Sequence, residues 1–256
     1  MKDGLFQRAI RLGTALIGLV GVLPACAEHN AQVMYIAANM DYEALDCQLR
    51  ATGGQLFYRS TGTLDIGISN RYRLYPRVFN GMGTSEETTQ NTVKELMLEN
   101  NFIQIIGATV DYDIANVDLG VPLPQGQFVF SATGVESDGG TALMELEIIP
   151  PLVGEVLRTA KKLEKPYSSA QLIAYVTLEG KLQDGTTVHS NEFVFPITVC
   201  KCCLLFPALD DCIFSGEENE KIPLPCNPGQ DVSLDCRAIW AMDLDDVISR
   251  CYFETE

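Results

Sequence analysis

Residues 171–199 read QLIAYVTLEGKLQDGTTVHSNEFVFPITV, and their pattern decides the fold class. Leu172, Ala174, Val176 and Leu178 alternate with more polar residues, the period of two that sets one face of a strand in a core and the other in water. Asp184-Gly185 follows, a dipeptide suited to a type I′ turn, and the chain returns through Val188, Phe193, Phe195 and Ile197 as the second arm of a hairpin. Pro196 has no N–H to give to a ladder, so the returning strand is expected at a sheet edge or with a bulge.

The same period extends toward the N-terminus. Leu64, Ile66 and Ile68 alternate with polar or small residues, and Tyr72, Leu74 and Val78 continue the phase with Arg71, Arg73 and Arg77 on the opposite face. Further strands are expected at Ile106, Ala108, Val110, Tyr112 and Ile114, at Phe128, Phe130 and Ala132, and at Met144, Leu146 and Ile148 with Glu145 and Glu147 facing out. Residues 80–101 read as a long loop, with a short helix where Thr84 and Glu87 form a capping box. One helix stands out after Pro150-Pro151, with Leu152, Val153, Val156, Leu157, Ala160 and Leu163 on one face and Lys161, Lys162 and Lys165 before Pro166. Many short strands with one helix between them favour a mainly β chain, an immunoglobulin-like β-sandwich with one inserted helix, followed by a small disulfide-rich C-terminal module.

Nine cysteines lie in the 256 residues. The first, Cys26, closes a leader with Lys2, Arg8 and Arg11 as its basic part and Leu12 to Leu23 as its apolar part. That apolar run is shorter than the roughly 20 residues that span a bilayer core. Leu23-Pro24-Ala25-Cys26 resembles a lipobox, with Leu23, Ala25 and Cys26 at the matching places and Pro24 where a small residue is usual. The resemblance implies that residues 1–25 are a signal peptide and that Cys26 is the acylated first residue of the mature chain. Ala27-Glu28 lacks the aspartate associated with inner-membrane retention, so the outer membrane is the expected location, with the lipid on Cys26 as the membrane partner.

If Cys26 carries lipid, eight cysteines remain: Cys47, Cys200, Cys202, Cys203, Cys212, Cys226, Cys236 and Cys251. An even remainder in an exported chain reads as a disulfide framework, although eight cysteines allow about 105 connectivities. Seven of the eight fall after residue 199, which sets the expected organisation: signal peptide 1–25, lipidated N-terminus and tether 26–55, β-sandwich 56–199 and cysteine-rich module 200–256. The stretches Val199-Cys200-Lys201-Cys202-Cys203-Leu204 and Pro225-Cys226-Asn227-Pro228-Gly229 resemble those of cysteine-rich bacterial lipoproteins. That resemblance implies no activity.

Charge and site chemistry restrict the function. Removing residues 1–25 takes away three basic side chains and one acidic one, so the net charge moves from −16 to −18, which disfavours nucleic acid as a partner. Cys200 and Cys203 have the spacing of a zinc or redox pair, but no second spaced pair accompanies them and a disulfide is the expected state. His29 and His189 are the two histidines, and neither lies in a nucleophile motif. Asp111, Asp113 and Asp118 lack the glycine and terminal glutamate of a calcium loop, where Asn116 and Pro122 stand, and are expected to pair across strands with Arg71 and Arg73. The stripe Arg71, Arg73 and Arg77 is a candidate docking face for an anionic glycan or an acidic envelope protein. With no cofactor or catalytic set singled out, a non-catalytic structural or binding module is the expected function; an envelope hydrolase using two carboxylates is the alternative.

Overall fold

Thirteen strands and two helices are described in the computed structural model, which covers residues 33–42, 47–49, 56–82, 101–115, 122–137, 139–206, 224–241, 247 and 250–251. In chain order the strands are β1 (Met34–Asn39), β2 (Gly62–Asp65), β3 (Tyr72–Leu74), β4 (Pro76–Asn80), β5 (Ile103–Ala115), β6 (Gly126–Val135), β7 (Thr141–Leu143) and β8 (Leu146–Ile149). Helix α1 (Pro151–Thr159) and a 3-10 turn (Lys161–Leu163) follow, then β9 (Ser169–Leu182), β10 (Thr187–His189), β11 (Phe193–Cys200), β12 (Leu205–Phe206), β13 (Leu234–Asp235) and α2 (Ala238–Ala241).

The stretch 171–199 forms the centre of the larger sheet, whose order is β2-β11-β9-β5-β6, with β10 also on β9. Leu172, Ala174, Val176 and Leu178 are buried, as their alternation requires. Two smaller sheets, β1-β4-β7 and β3-β8, send Met34, Ile36, Val78, Tyr72 and Leu146 into the same apolar core as the large sheet. Tyr72 and Phe195 meet there with ring centroids 5.9 Å apart. The chain is mainly β, and three sheets that share one apolar core are consistent with the sandwich expected from the pattern.

Several local expectations need correction. The Asp184-Gly185 turn is not type I′: Gly185 N–H donates to Leu182 O at 3.0 Å, and of the two residues only Gly185 has a positive φ, at 89°. Leu182 N–H also donates to Thr186 O, which makes the connection a three-residue loop with its glycine in the left-handed region. β11 is not an edge strand, since it lies between β2 and β9. Pro196 is tolerated because the pairing with β2 begins one residue later, at Ile197↔Gly62. In β5 the register shifts between Ile105 and Gly107, so Ile103 and Ile105 are buried before the bulge and Ala108 and Val110 after it. Ile106 therefore does not share their face. Helix α1 ends at Thr159, because Ala160 is extended at φ −68° and ψ 125°, and Leu152 is 68 % exposed rather than on the buried face.

The domain boundaries also shift. β1 lies within the segment expected to be a tether and pairs antiparallel with β4 over Met34↔Asn80 to Asn39↔Pro76. At the other end, Ile68 packs with Cys202, Leu205, Leu234, Cys236, Ile239, Val247 and Cys251 in a second, smaller core. The cysteine-rich region is therefore built partly from the end of β2 and the turn after it. Capping at Thr84 and the calcium candidate Asp118 lie outside the described residues.

Disulfides tie this arrangement together. Cys47 pairs with Cys226, Cys202 with Cys251 and Cys200 with Cys203, at sequence separations of 179, 49 and 3. Cys236 is bridged as well. Loop-closure entropy assigns the three described bridges roughly 5, 4 and 2 kcal/mol in that order. Gly67 packs so closely on Cys202 and Cys251 that an added Cβ would stand 2.6 and 2.7 Å from their sulfurs, so this position has no room for a side chain.

Candidate functional site

The best-formed cavity, about 150 Å³, opens where the end of β1, Arg59, the β3–β4 junction and the loop 225–232 meet. Asn39, Asp41, Tyr42, Arg59, Arg73, Tyr75, Asn227 and Asp231 supply its polar groups. The Cys47–Cys226 bridge holds the loop against the sheets, since Cys226 itself lines the cavity.

Asp231 is the hub of this cluster. It sits at a φ of 63°, a left-handed backbone that few residues other than glycine adopt without cost. Thr63 N–H donates to its Oδ1 at 2.7 Å, and Tyr72 O–H donates to its Oδ2 at 2.8 Å. Arg59 lies between two carboxylates, with Nε 3.6 Å from Asp231 Oδ2 and Nη2 2.5 Å from Asp41 Oδ2. On the opposite wall Tyr42 and Tyr75 share a hydrogen bond through their hydroxyls, and the Asn227 amide donates to both oxygens at 3.2 and 3.1 Å. Asn39 Oδ1 accepts Tyr75 N–H at 2.7 Å, which fixes the ring's backbone.

Burial raises the Tyr72 and Tyr42 hydroxyls, so both remain protonated donors. Burial also opposes the charge on Arg59, but Asp231 and Asp41 outweigh it and hold that guanidinium above its ordinary value. The cavity is smaller than the roughly 300–1,000 Å³ of ordinary small-molecule pockets. Asp231 accepts at both oxygens and Arg59 spans the two aspartates, so the cluster is a polar network that ties the loop 225–232 to β2 and β3.

A second buried carboxylate, Asp65, closes β2. Its Oδ1 accepts N–H bonds from Gly67 and Cys202 at 2.9 and 2.6 Å, and its Oδ2 accepts one from Leu204 at 2.9 Å. Burial outweighs these bonds and holds the Asp65 carboxyl above the ordinary carboxylate value, and burial likewise raises Asp231 against the pull of Thr63 N–H and Arg59. A carboxyl raised by folding binds its proton in the folded chain first, so stability increases as pH falls through the raised values and is lost as pH rises through them. Asp235 and Asp184, held low by bonds to Arg237 and Thr186, act in the opposite sense only below the ordinary carboxylate value near 4. Urea midpoints are therefore expected to fall as pH rises from about 4 to about 7, with the fall reduced in Asp231→Asn. A midpoint that falls steadily on acidification over that interval contradicts the assignment.

The structure divides the arginine stripe. Arg71 faces Glu147 at 3.4 Å and Arg73 faces Glu145 at 3.3 Å, so their partners come from the β8 region rather than from Asp111 and Asp113. Asp111 instead accepts the Gln125 amide at 2.6 Å. Both arginines line a shallow groove with Ser69, Asn227 and Gln230, next to the cavity. Arg77 stands apart, stacked 4.8 Å from the Phe79 ring and donating to Tyr58 O–H at 3.3 Å. His189 is exposed on β10, while Cys26, Cys212 and His29 lie outside the described residues.

Asp65 and Asp231 escaped the sequence reading. Asp65 occupies a place where strict alternation would put it in water, but β2 ends there and the backbone turns its side chain inward, leaving it 0 % exposed. The Gln230-Asp231 pair has no periodic context. Its one signal is position, between Gly229 and a β-prone stretch in a loop carrying Cys226.

No family model matches the chain, and no curated protein matches it. Among solved structures, the solution structure of a late embryogenesis abundant (LEA) protein matches over 76 % of this chain and 87 % of that one, at 9 % identity and a TM-score of 0.35. A likeness at that level carries no argument.

Proposed function

We propose that this chain is an exported, lipid-anchored module of the bacterial cell envelope, non-catalytic and stiffened by disulfides, with a binding or structural role. The observation that carries the reading is the set of bridges, since structural disulfides between segments 179 and 49 residues apart belong to an oxidising compartment. Seven of the eight cysteines after Cys26 are bridged, which fits an exported chain. The resemblance of Leu23-Pro24-Ala25-Cys26 to a lipobox assigns Cys26 to the lipid. Among the described residues no helix is long and apolar enough to cross a membrane. Two or three acyl chains on Cys26 would hold the domain at the outer membrane, whereas a strongly acidic surface gives no attraction to anionic headgroups. The groove edged by Arg71 and Arg73 is the face we assign to an anionic glycan or an acidic envelope protein.

The test is expression with the native leader in a bacterial host. The wild-type chain is expected in the membrane fraction, starting at Cys26 and heavier than its sequence by the acyl groups. Cys26→Ser is expected to leave that fraction and lose the added mass. A membrane-free wild-type product whose Cys26 bears no lipid overturns the reading.

A further inference from the structure

The segment Cys200-Lys201-Cys202-Cys203 joins β11 to β12, and its two outer cysteines differ sharply in surroundings. Cys200 ends β11 and is 2 % exposed, whereas Cys203 lies exposed on the turn. Their sulfurs and a carboxylate oxygen of the fully buried Asp65 all lie within 4.8 Å of one another. We propose that the Cys200–Cys203 bridge is a thiol–disulfide exchange site, opened by a dithiol that attacks Cys203, the exposed member of the pair, and leaves the buried Cys200 beside Asp65.

Three features support this assignment. Attack on a disulfide needs access to one sulfur and a stabilised leaving thiolate at the other. Cys203 gives the access, and the buried Cys200 is the sulfur that leaves, within 4.8 Å of an Asp65 carboxylate oxygen. Once protonated, the Cys200 thiol has an acceptor in place, because its sulfur is 3.6 Å from Leu64 O. The turn also keeps its position without this bridge. Cys202 and Leu204 donate their N–H groups to Asp65, Leu204 O accepts Leu234 N–H at 2.6 Å, and Cys202 is bound to Cys251. The bridge closes a loop with a separation of only 3 residues, so breaking it releases little chain entropy and the fold survives reduction.

The reaction balances as two electrons and two protons. A thiolate of the dithiol bonds to Cys203 Sγ and the Cys200–Cys203 bond breaks. Cys200 departs as a thiolate and is protonated by water. The second thiol of the reductant then loses its proton, closes the reductant's own disulfide and releases Cys203, which is protonated by water. This inference does not depend on the lipid anchor.

The test is a graded titration of the full-length protein with dithiothreitol under native conditions, quenched by alkylation and mapped by peptide mass spectrometry. Cys200 and Cys203 are expected to be labelled at a reductant concentration at least about tenfold below that for Cys47, Cys226, Cys202 or Cys251, with circular dichroism unchanged and full recovery on reoxidation. Because Asp65→Asn also removes a structural acceptor, two single-cysteine variants supply the independent readout. Cys203 in Cys200→Ser is expected to react with a disulfide dye about tenfold or more faster than Cys200 in Cys203→Ser. Opening of another bridge first, or equal reactivity of the two variants, overturns the proposal.

Discussion

Replacing Cys226 with alanine is expected to lower the unfolding free energy by about 5 kcal/mol, the largest effect of any single bridge described. The partner, Cys47, is 179 residues away in sequence, and its Cα lies 5.4 Å from that of Cys226. Without the bond the unfolded chain regains the freedom of a loop covering most of the domain. For a domain of this size each kcal/mol corresponds to roughly 2–4 °C, so the thermal midpoint should fall by about 10–20 °C. Cys47→Ala should cost about as much, and the double variant no more than either single, because both remove the same bond. Calorimetry of the three variants checks this. The cavity around Asp231 should loosen along with the loop, since Cys226 is part of its wall. Cys203→Ala, which opens the short loop, should cost only about 2 kcal/mol.

Asp65→Ala is the second large effect. The carboxylate accepts three N–H groups, from Gly67, Cys202 and Leu204, in a place where the aspartate is 0 % exposed. A buried donor left without a partner costs about 1–3 kcal/mol, so losing all three should destabilise the chain by at least roughly 3 kcal/mol. Asp65→Asn keeps one acceptor oxygen in the same volume and should cost less than half as much. It should also remove part of the rise in stability on acidification, because an amide does not titrate. Urea denaturation at two pH values separates the effects: the alanine variant changes the midpoint at both, and the asparagine variant changes chiefly the difference between them. Equal stability of wild type and Asp65→Ala would show that the turn 201–204 is held by other means.

What the sequence made legible was the long alternating strand at Leu172 to Leu178, its hairpin and the one helix opened by Pro150-Pro151, because each has a period or a stop signal of its own. β1 escaped because a register shift between Ile36 and Ala38 breaks its alternation. In β5 the same kind of shift, between Ile105 and Gly107, moved the buried set out of phase. A bulge adds one residue and leaves no compositional mark, so a reading based on period two loses its place there. The parallel pairing of β2 with β11 joins segments more than 130 residues apart and was likewise invisible.

The candidate sites show the same limit. The cysteines were plain as a framework, but their pairing depends on which Cα atoms the fold brings to bridging distance. Arg71 and Arg73 were identified as a stripe, yet their partners Glu147 and Glu145 come from β8 and the residue just before it, and no local rule selects those over Asp111 and Asp113. Asp65 and Asp231 act inward because a strand ends or a turn reverses at each of them.

The most direct test of the central claim is a non-reducing disulfide map of the natively exported protein. Cys236 is bridged, and the map identifies its partner. The expected map holds a Cys212–Cys236 peptide alongside Cys47–Cys226, Cys200–Cys203 and Cys202–Cys251, with Cys26 recovered only as an acylated N-terminal peptide. A Cys26–Cys236 peptide, with Cys212 alkylated as a free thiol, would contradict it.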